Sequence, residues 1–229
     1  MLSNETAFTA NEPVPVEPGY QASSWLKLTA HAFSYLLHPV FIPLYVAAFL
    51  LFIHPTAFAG FSAADRRQVM LIIGLNLVFF PLMTVFLLKA LGFIESLYLR
   101  SQKDRIIPYI ASGIFYFWAY TVFRQQSHYP VVLTGFILGA FLSASAALIL
   151  NIYFKVSMHA LGMGGWLGVF LFVAWSNTMM MTWPLALVIL LTGIVCTSRL
   201  ILGAHRPRDM YAGILIAILA QFIAARFLQ

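Results

Sequence analysis

Near the carboxy-terminal end, Ser198-Arg199 is followed after five residues by His205 and after three more by Asp209. An imidazole beside a carboxylate is a nucleophile with raised basicity, and a neighbouring guanidinium clamps anionic oxygens in bidentate fashion. A second stretch, Lys155-Val156-Ser157-Met158-His159, adds another imidazole, a hydroxyl and a point charge. A third, Arg100 to Arg105, supplies Arg100, Lys103, Asp104 and Arg105. Many Arg and Lys with few acids suit a multiply charged anion. Two imidazoles on such a site can divide the labour, one as nucleophile and one as general acid. Pro207 disfavours helical geometry at Arg206 and is suited to the first position of a helix. His205 is then expected just outside that helix, with Asp209 in its first turn reaching back. No carboxylate cluster suggests a metal, no cofactor is expected, and the single cysteine, Cys196, permits neither a disulfide nor a Cys-based metal site.

The elements carrying these residues belong to a bilayer. Of 229 residues, 62% are hydrophobic and 9% charged, which excludes a soluble enzyme, a disordered chain and a disulfide-stapled module. Seven apolar runs, roughly 31–53, 69–91, 106–123, 131–154, 160–177, 182–200 and 209–228, read as helices, because lipid leaves a single apolar segment no other way to satisfy its backbone. The expected fold is an all-α polytopic transmembrane bundle of about seven spans. Residues 1–24, with Glu5, Glu12, Glu17 and three prolines, read as a disordered polar leader, and 25–229 as the membrane domain. No signal-peptide pattern precedes the first run, which is expected to stay as a signal anchor. Trp25, Tyr98, Tyr153, Trp183 and Tyr211 fall near predicted helix ends, as an interfacial belt requires.

Counting crossings places the tail and the loops at 92–105, 155–159 and 201–208 on one face, and those at 54–68, 124–130 and 178–181 on the other. The first face collects the polar residues of all three stretches, and charge at membrane depth is expensive unless it has a task. The net charge of +6 forms no basic stripe with interleaved aromatics, so nucleic acid is not expected as a partner. His31, His38, His54 and His128 read as hydrogen-bonded packing residues, Asn76, Asn151 and Asn177 as interhelical hydrogen-bonders, and Gly162, Gly164 and Gly165 as sites of tight helix start or close packing.

The pattern Ser198-Arg199-x5-His205-x3-Asp209, with Gly203, Pro207 and Gly213 around it, resembles the third signature motif of the type 2 phosphatidic acid phosphatase family of integral-membrane lipid phosphatases. Val156-Ser157-Met158-His159 resembles its second motif, Pro-Ser-Gly-His, keeping Ser and His. The first, Lys-x6-Arg-Pro, is degenerate: counting back from Pro108 puts Arg100 at the Lys position and Ile107 at the Arg position, with Lys103 and Arg105 as substitutes. The resemblance covers residues 100–213 and implies a six-helix phosphatase-like core plus one helix. It implies metal-independent hydrolysis of a lipid phosphomonoester or diphosphate, with His205 attacking phosphorus to form a phosphohistidine, Asp209 orienting it and His159 protonating the leaving oxygen. Arg199, Arg105, Lys103, Arg100 and Ser157 would hold the phosphoryl oxygens. Candidate lipids are polyprenyl diphosphate, phosphatidylglycerol phosphate, phosphatidic acid and a phosphorylated glycolipid.

Two other classes stand beside it: a non-hydrolytic phosphotransferase or lipid-phosphate binder of the same fold, and a histidine-using transporter or haem protein. Lys27, Lys89, Arg100, Lys103, Arg105, Lys155, Arg199, Arg206 and Arg208 lie on the motif face, against Arg66, Arg67, Arg124 and Arg226 on the other. That bias alone would make the motif face cytoplasmic. Leaving out the seven cations in or beside the site reverses it, and the resemblance implies an outward-facing site in the plasma (inner) membrane. Oligomeric state is not readable.

Overall fold

The computed structural model describes residues 22–99 and 101–228. Among these the chain is helical and contains no strand. In chain order the helices are α1 (Ser24–Leu36), α2 (Ile42–Ala48), α3 (Ala63–Ile73), α4 (Phe80–Ala90), α5 (Gln102–Arg124), α6 (Val131–Leu150), α7 (Met158–Trp175), α8 (Thr182–Ile201) and α9 (Pro207–Leu228). A π-helical stretch, Phe49–Ile53, continues α2, and another, Gly74–Phe79, joins α3 to α4 in one span, Ala63–Ala90. Among the described residues six helices are long and apolar enough to cross a membrane: that span, α5, α6, α7, α8 and α9.

The first expected span is therefore corrected. Run 31–53 breaks at His38-Pro39-Val40 into α1 and the shorter apolar helix Ile42–Ile53. Pro39 lacks an N–H and pushes His38 out of helical geometry, whereas Pro43 is tolerated at the start of α2. At ~1.5 Å per residue Ile42–Ile53 reaches about 18 Å, short of a bilayer core. Ser23 caps α1 and the helix starts at Ser24; residues 1–21, most of the expected leader, lie outside the described residues. The α3 span begins earlier than its apolar run because Ser62 and Asp65 form a capping box ahead of Val69.

α9 packs against both α6 and α7. Gly135 and Gly139 on α6, and Gly164 and Gly168 on α7, face it: a Cβ on Gly164 would lie 2.6 Å from the Ile214 carbonyl oxygen, and one on Gly139 would strike the Gln221 side chain. With no hydrophobic force between helices in lipid, such close backbone approach carries much of the association. α1 lies along α8. Trp25, Tyr98, Tyr153, Trp183 and Tyr211 are all exposed, as the belt reading expects.

The loop sorting also holds. At one end of the bundle Phe61 packs against His128 and Tyr129, and His54 Nε2 hydrogen-bonds Thr178 at 3.0 Å. His54 Nδ1 accepts from the Thr56 and Ala57 amides, so its Nε2 carries the proton and Thr178 accepts it. His54 is a packing histidine, as expected. Asn151 joins α5 to the end of α6 by exchanging hydrogen bonds with Gln102, whereas Asn76 donates to Ile72 within its own helix.

Candidate functional site

At the opposite end three helix starts and one helix end meet. Ser101 caps α5, its hydroxyl accepting from the Asp104 amide at 3.0 Å, and Arg105 follows in the second turn. Ser157 caps α7, accepting from Ala160 N at 3.4 Å, with His159 next to it. α8 ends with Arg199 in its last turn; the Gly203 and Ala204 amides turn back onto the carbonyls of Leu200 and Arg199, with Gly203 at φ +61°. This reversal needs a left-handed residue, which glycine supplies at little cost. It delivers His205 two residues later. Pro207 opens α9 as expected, and the Arg206 amide donates to Asp209 Oδ2 at 3.1 Å.

The stretches are tied to one another through backbone groups. The Ser157 amide donates to the Asp209 carbonyl at 3.2 Å. Gly213 lets this happen, since a Cβ there would sit 3.1 Å from both the Ser157 carbonyl oxygen and the Leu161 nitrogen. Arg105 is 3% exposed; its Nε donates to the Leu99 carbonyl at 2.9 Å and a terminal nitrogen donates to Val156 O at 2.7 Å. It braces the first stretch against the second and keeps three of its five N–H groups uncommitted by these bonds.

His205 is buried, and its Nδ1 stands 3.9 Å from Asp209 Oδ2, an ion-pair distance longer than a hydrogen bond. Burial is the main cause that pushes its pKa below the ordinary value. Arg105, Arg199 and Lys155 push the same way, and Asp209 opposes them. Arg105 and Arg199 repel each other electrostatically, and Arg199, His38 and His205 all act on His159. Arg208 lies 3.5 Å from Asp209 Oδ1 but is largely exposed. Several buried polar atoms at this end have no hydrogen-bond partner among the described residues: Ser34 Oγ, Tyr109 OH, Arg199 Nε and His205 Nδ1.

Of the expected site residues, His205, Asp209, Arg105, Arg199 and His159 come together. Ser157 joins them, but its hydroxyl is occupied as the α7 cap. Lys103 is exposed, and among the described residues no hydrogen bond or ion pair draws it into the cluster; the start of α5 buries Asp104 and Arg105 and turns Lys103 outward. Arg100 lies outside the described residues. Among the described residues no three His, Cys, Asp or Glu side chains gather to hold a metal ion.

Sequence reasoning missed His38. It stands edge-on to His159, ring centroids 5.2 Å apart, and burial together with the Arg199 charge lowers its pKa to about 4. The break that overturned the first span puts it there: the chain turns at Pro39, and Pro39 packs against Gly162 of α7. His159 Nε2 lies 3.0 Å from the Ser34 carbonyl. A carbonyl only accepts, so Nε2 carries a proton and Nδ1 is the nitrogen left to face the site. The one available signal is the His-Pro pair, which marks a chain turn.

Beside the cluster lies a cavity of about 230 Å³, bordered by His38, Leu99, Tyr109, Met158, Leu161 and Gly162 on the side nearest it. No protein-family model, curated protein or solved structure matches the chain.

Proposed function

We propose that the chain is a membrane lipid phosphatase that transfers a phosphoryl group from a lipid phosphomonoester or diphosphate to His205 and then to water. The observation that carries this reading is the surplus of cations around a buried histidine: the buried Arg105 and the half-buried Arg199 and Lys155 act on His205, against the carboxylates of Asp209 and Asp104. A surplus of positive charge drawn partly out of water is costly, and a bound anion offsets it. A phosphoryl group supplies oxygens for the uncommitted N–H groups of Arg105 and for the unpartnered Nε of Arg199.

In this reading Asp209 faces His205 Nδ1, which holds the proton there and leaves the Nε2 lone pair for phosphorus. The lowered pKa of His205 keeps that nitrogen unprotonated at neutral pH. His159 Nδ1 first takes the proton of the monoanionic phosphate and, as the phosphorus–oxygen bond to the lipid breaks, passes it to the leaving oxygen, while the Nε2 proton stays committed to Ser34. Water then attacks the phosphohistidine, releasing inorganic phosphate and restoring the imidazole. Each donor aimed at the developing charge is worth ~3 kcal/mol in such sites. The site is expected to face outward.

One observation favours a second reading, a lipid-phosphate binder without hydrolysis: His205 and Asp209 stand at 3.9 Å, longer than a catalytic hydrogen bond. Phosphate release from a panel of lipid phosphates, by the purified protein and by His205→Ala, separates the two. The phosphatase reading expects release that the substitution abolishes; binding with no release by either protein would favour the binder.

A further inference from the structure

The cavity bordering the cation cluster is apolar over most of its wall: Pro81, Leu82, Val85 and Phe86 of α4 face Phe136 and Ala140 of α6 across it. It reaches inward from His38 and Leu99 to Gly165 and Gln221. Its ~230 Å³ is many times the space that one water needs, room for a stretch of one hydrocarbon chain.

One wall departs from this character. Tyr109 lines the cavity and is 6% exposed, yet its hydroxyl has no hydrogen-bond partner among the described residues. Its polar neighbour is Arg105, one turn earlier on α5. A guanidinium only donates, so any contact with it uses an oxygen lone pair and leaves the phenol proton unspent. A buried O–H donor without an acceptor is costly, and the space beside this one is a cavity next to a site for phosphate. Ser112, one turn further along α5, and Ser143 of α6 line the same space. The Ser143 hydroxyl is satisfied by Gly139 O at 2.7 Å.

We propose that this cavity seats a single ester-linked acyl chain of the lipid whose phosphate the cluster holds, and that the Tyr109 hydroxyl donates to the ester carbonyl. The proposal rests on the phosphate-binding reading of the cluster. It makes Tyr109 a specificity-determining residue: a carbonyl placed a few bonds from the phosphate satisfies the phenol, whereas an isoprenoid chain offers no acceptor there. Ester-linked single-chain glycerol phosphates are then preferred over prenyl phosphates of equal length, and over alkyl ether analogues whose ether oxygen is a weaker acceptor.

The test compares a 1-acylglycerol 3-phosphate, its 1-O-alkyl ether counterpart and a prenyl monophosphate of similar carbon number. Binding and phosphate release are measured separately on the full chain, on Tyr109→Phe and on Gly165→Leu. The phenylalanine keeps the cavity wall and removes only the donor. It is expected to weaken the acyl ligand about fivefold to tenfold and to leave the ether and prenyl ligands within twofold. Gly165 borders the cavity, and a Cβ added there would meet its nearest neighbour, Gln221, at 3.8 Å, so leucine fills the space from a helix that tolerates it. It is expected to shorten the preferred acyl chain. Equal losses for all three ligands in Tyr109→Phe, or no loss for any, would overturn the proposal while leaving phosphate release as evidence for the enzyme. Tyr109-dependent acyl binding with no release from any lipid would sustain the cavity assignment and count against hydrolysis.

Discussion

Asp209 has two jobs that a pair of substitutions pulls apart. Its Oδ2 accepts the Arg206 amide at 3.1 Å, closing the first turn of α9, and the same oxygen stands 3.9 Å from His205 Nδ1. Asparagine keeps an oxygen for the amide and removes the charge; alanine removes both. A helix-start hydrogen bond of this kind is worth ~1 kcal/mol, about 2–4 °C in melting temperature for a chain of this size. The charge acts on His205, which burial and three cations already hold toward its neutral form. The proposed phosphoryl transfer would put positive charge on that imidazole, so losing the carboxylate would remove stabilisation from its transition state. A charge-assisted contact of about 1.5–3 kcal/mol corresponds to roughly 10- to 150-fold in rate. Asp209→Asn is therefore expected to melt within about a degree of the parent and to release phosphate ~10- to 150-fold more slowly. Asp209→Ala is expected to lose the activity and also ~2–4 °C. The assay is phosphate release in parallel with thermal denaturation in the same detergent. An asparagine variant with parental turnover would refute the electrostatic role and leave Asp209 as a cap alone.

Arg105→Lys keeps one charge but cannot hold the Leu99 and Val156 carbonyls together; it should destabilise by roughly 1–3 kcal/mol and lower activity, and an unchanged denaturation midpoint would contradict its bracing role. Gly164→Val drives a Cβ to 2.6 Å from Ile214 O and should cost about 1–3 kcal/mol by overpacking, whereas Gly193→Ala on α8, with nothing within 4 Å, should be neutral or stabilising by ~0.5–1 kcal/mol; equal midpoints for the two would argue against close α7–α9 packing. His38 is neutral in the fold, with its pKa lowered to about 4 by burial and the Arg199 charge. The unfolded chain binds that proton first, so stability rises with pH between about 4 and 6.5 and is lost on acidification through that window, by at most about 3 kcal/mol. His38→Gln should reduce the slope of the melting profile over that range and leave the part due to His205, and an unaltered profile would contradict the role of His38.

The six long helices are legible because each is a run of apolar residues bounded by polar or breaking ones, and lipid permits no other backbone solution. Pro207 marks the start of α9 and places Asp209 in its first turn, a purely local inference. Gly162, Gly164 and Gly165 read as close-packing positions; Gly164 meets α9 and Gly162 meets Pro39. The first span is misjudged when apolar content is weighed above Pro39, whose missing donor ends a helix whatever surrounds it. His38 escapes notice for the same reason, since its place beside His159 depends on that turn. The anchoring of Arg105 is beyond reach of the sequence, because its carbonyl partner Val156 lies 51 residues away and any residue type offers a carbonyl. Lys103 and Arg105 are two positions apart on one helix, hence on different faces, and only packing decides which face is buried.

In the proposed hydrolysis the imidazole of residue 205 receives a phosphoryl group. Rapid mixing with a lipid phosphate, followed by alkaline quench and mass spectrometry of the peptide that contains His205, tests this directly. A phosphoryl adduct on His205, formed before steady-state phosphate release and lost in His205→Ala, is the predicted result. Phosphate release at full rate with no adduct on that peptide, or with release undiminished in His205→Ala, would contradict it.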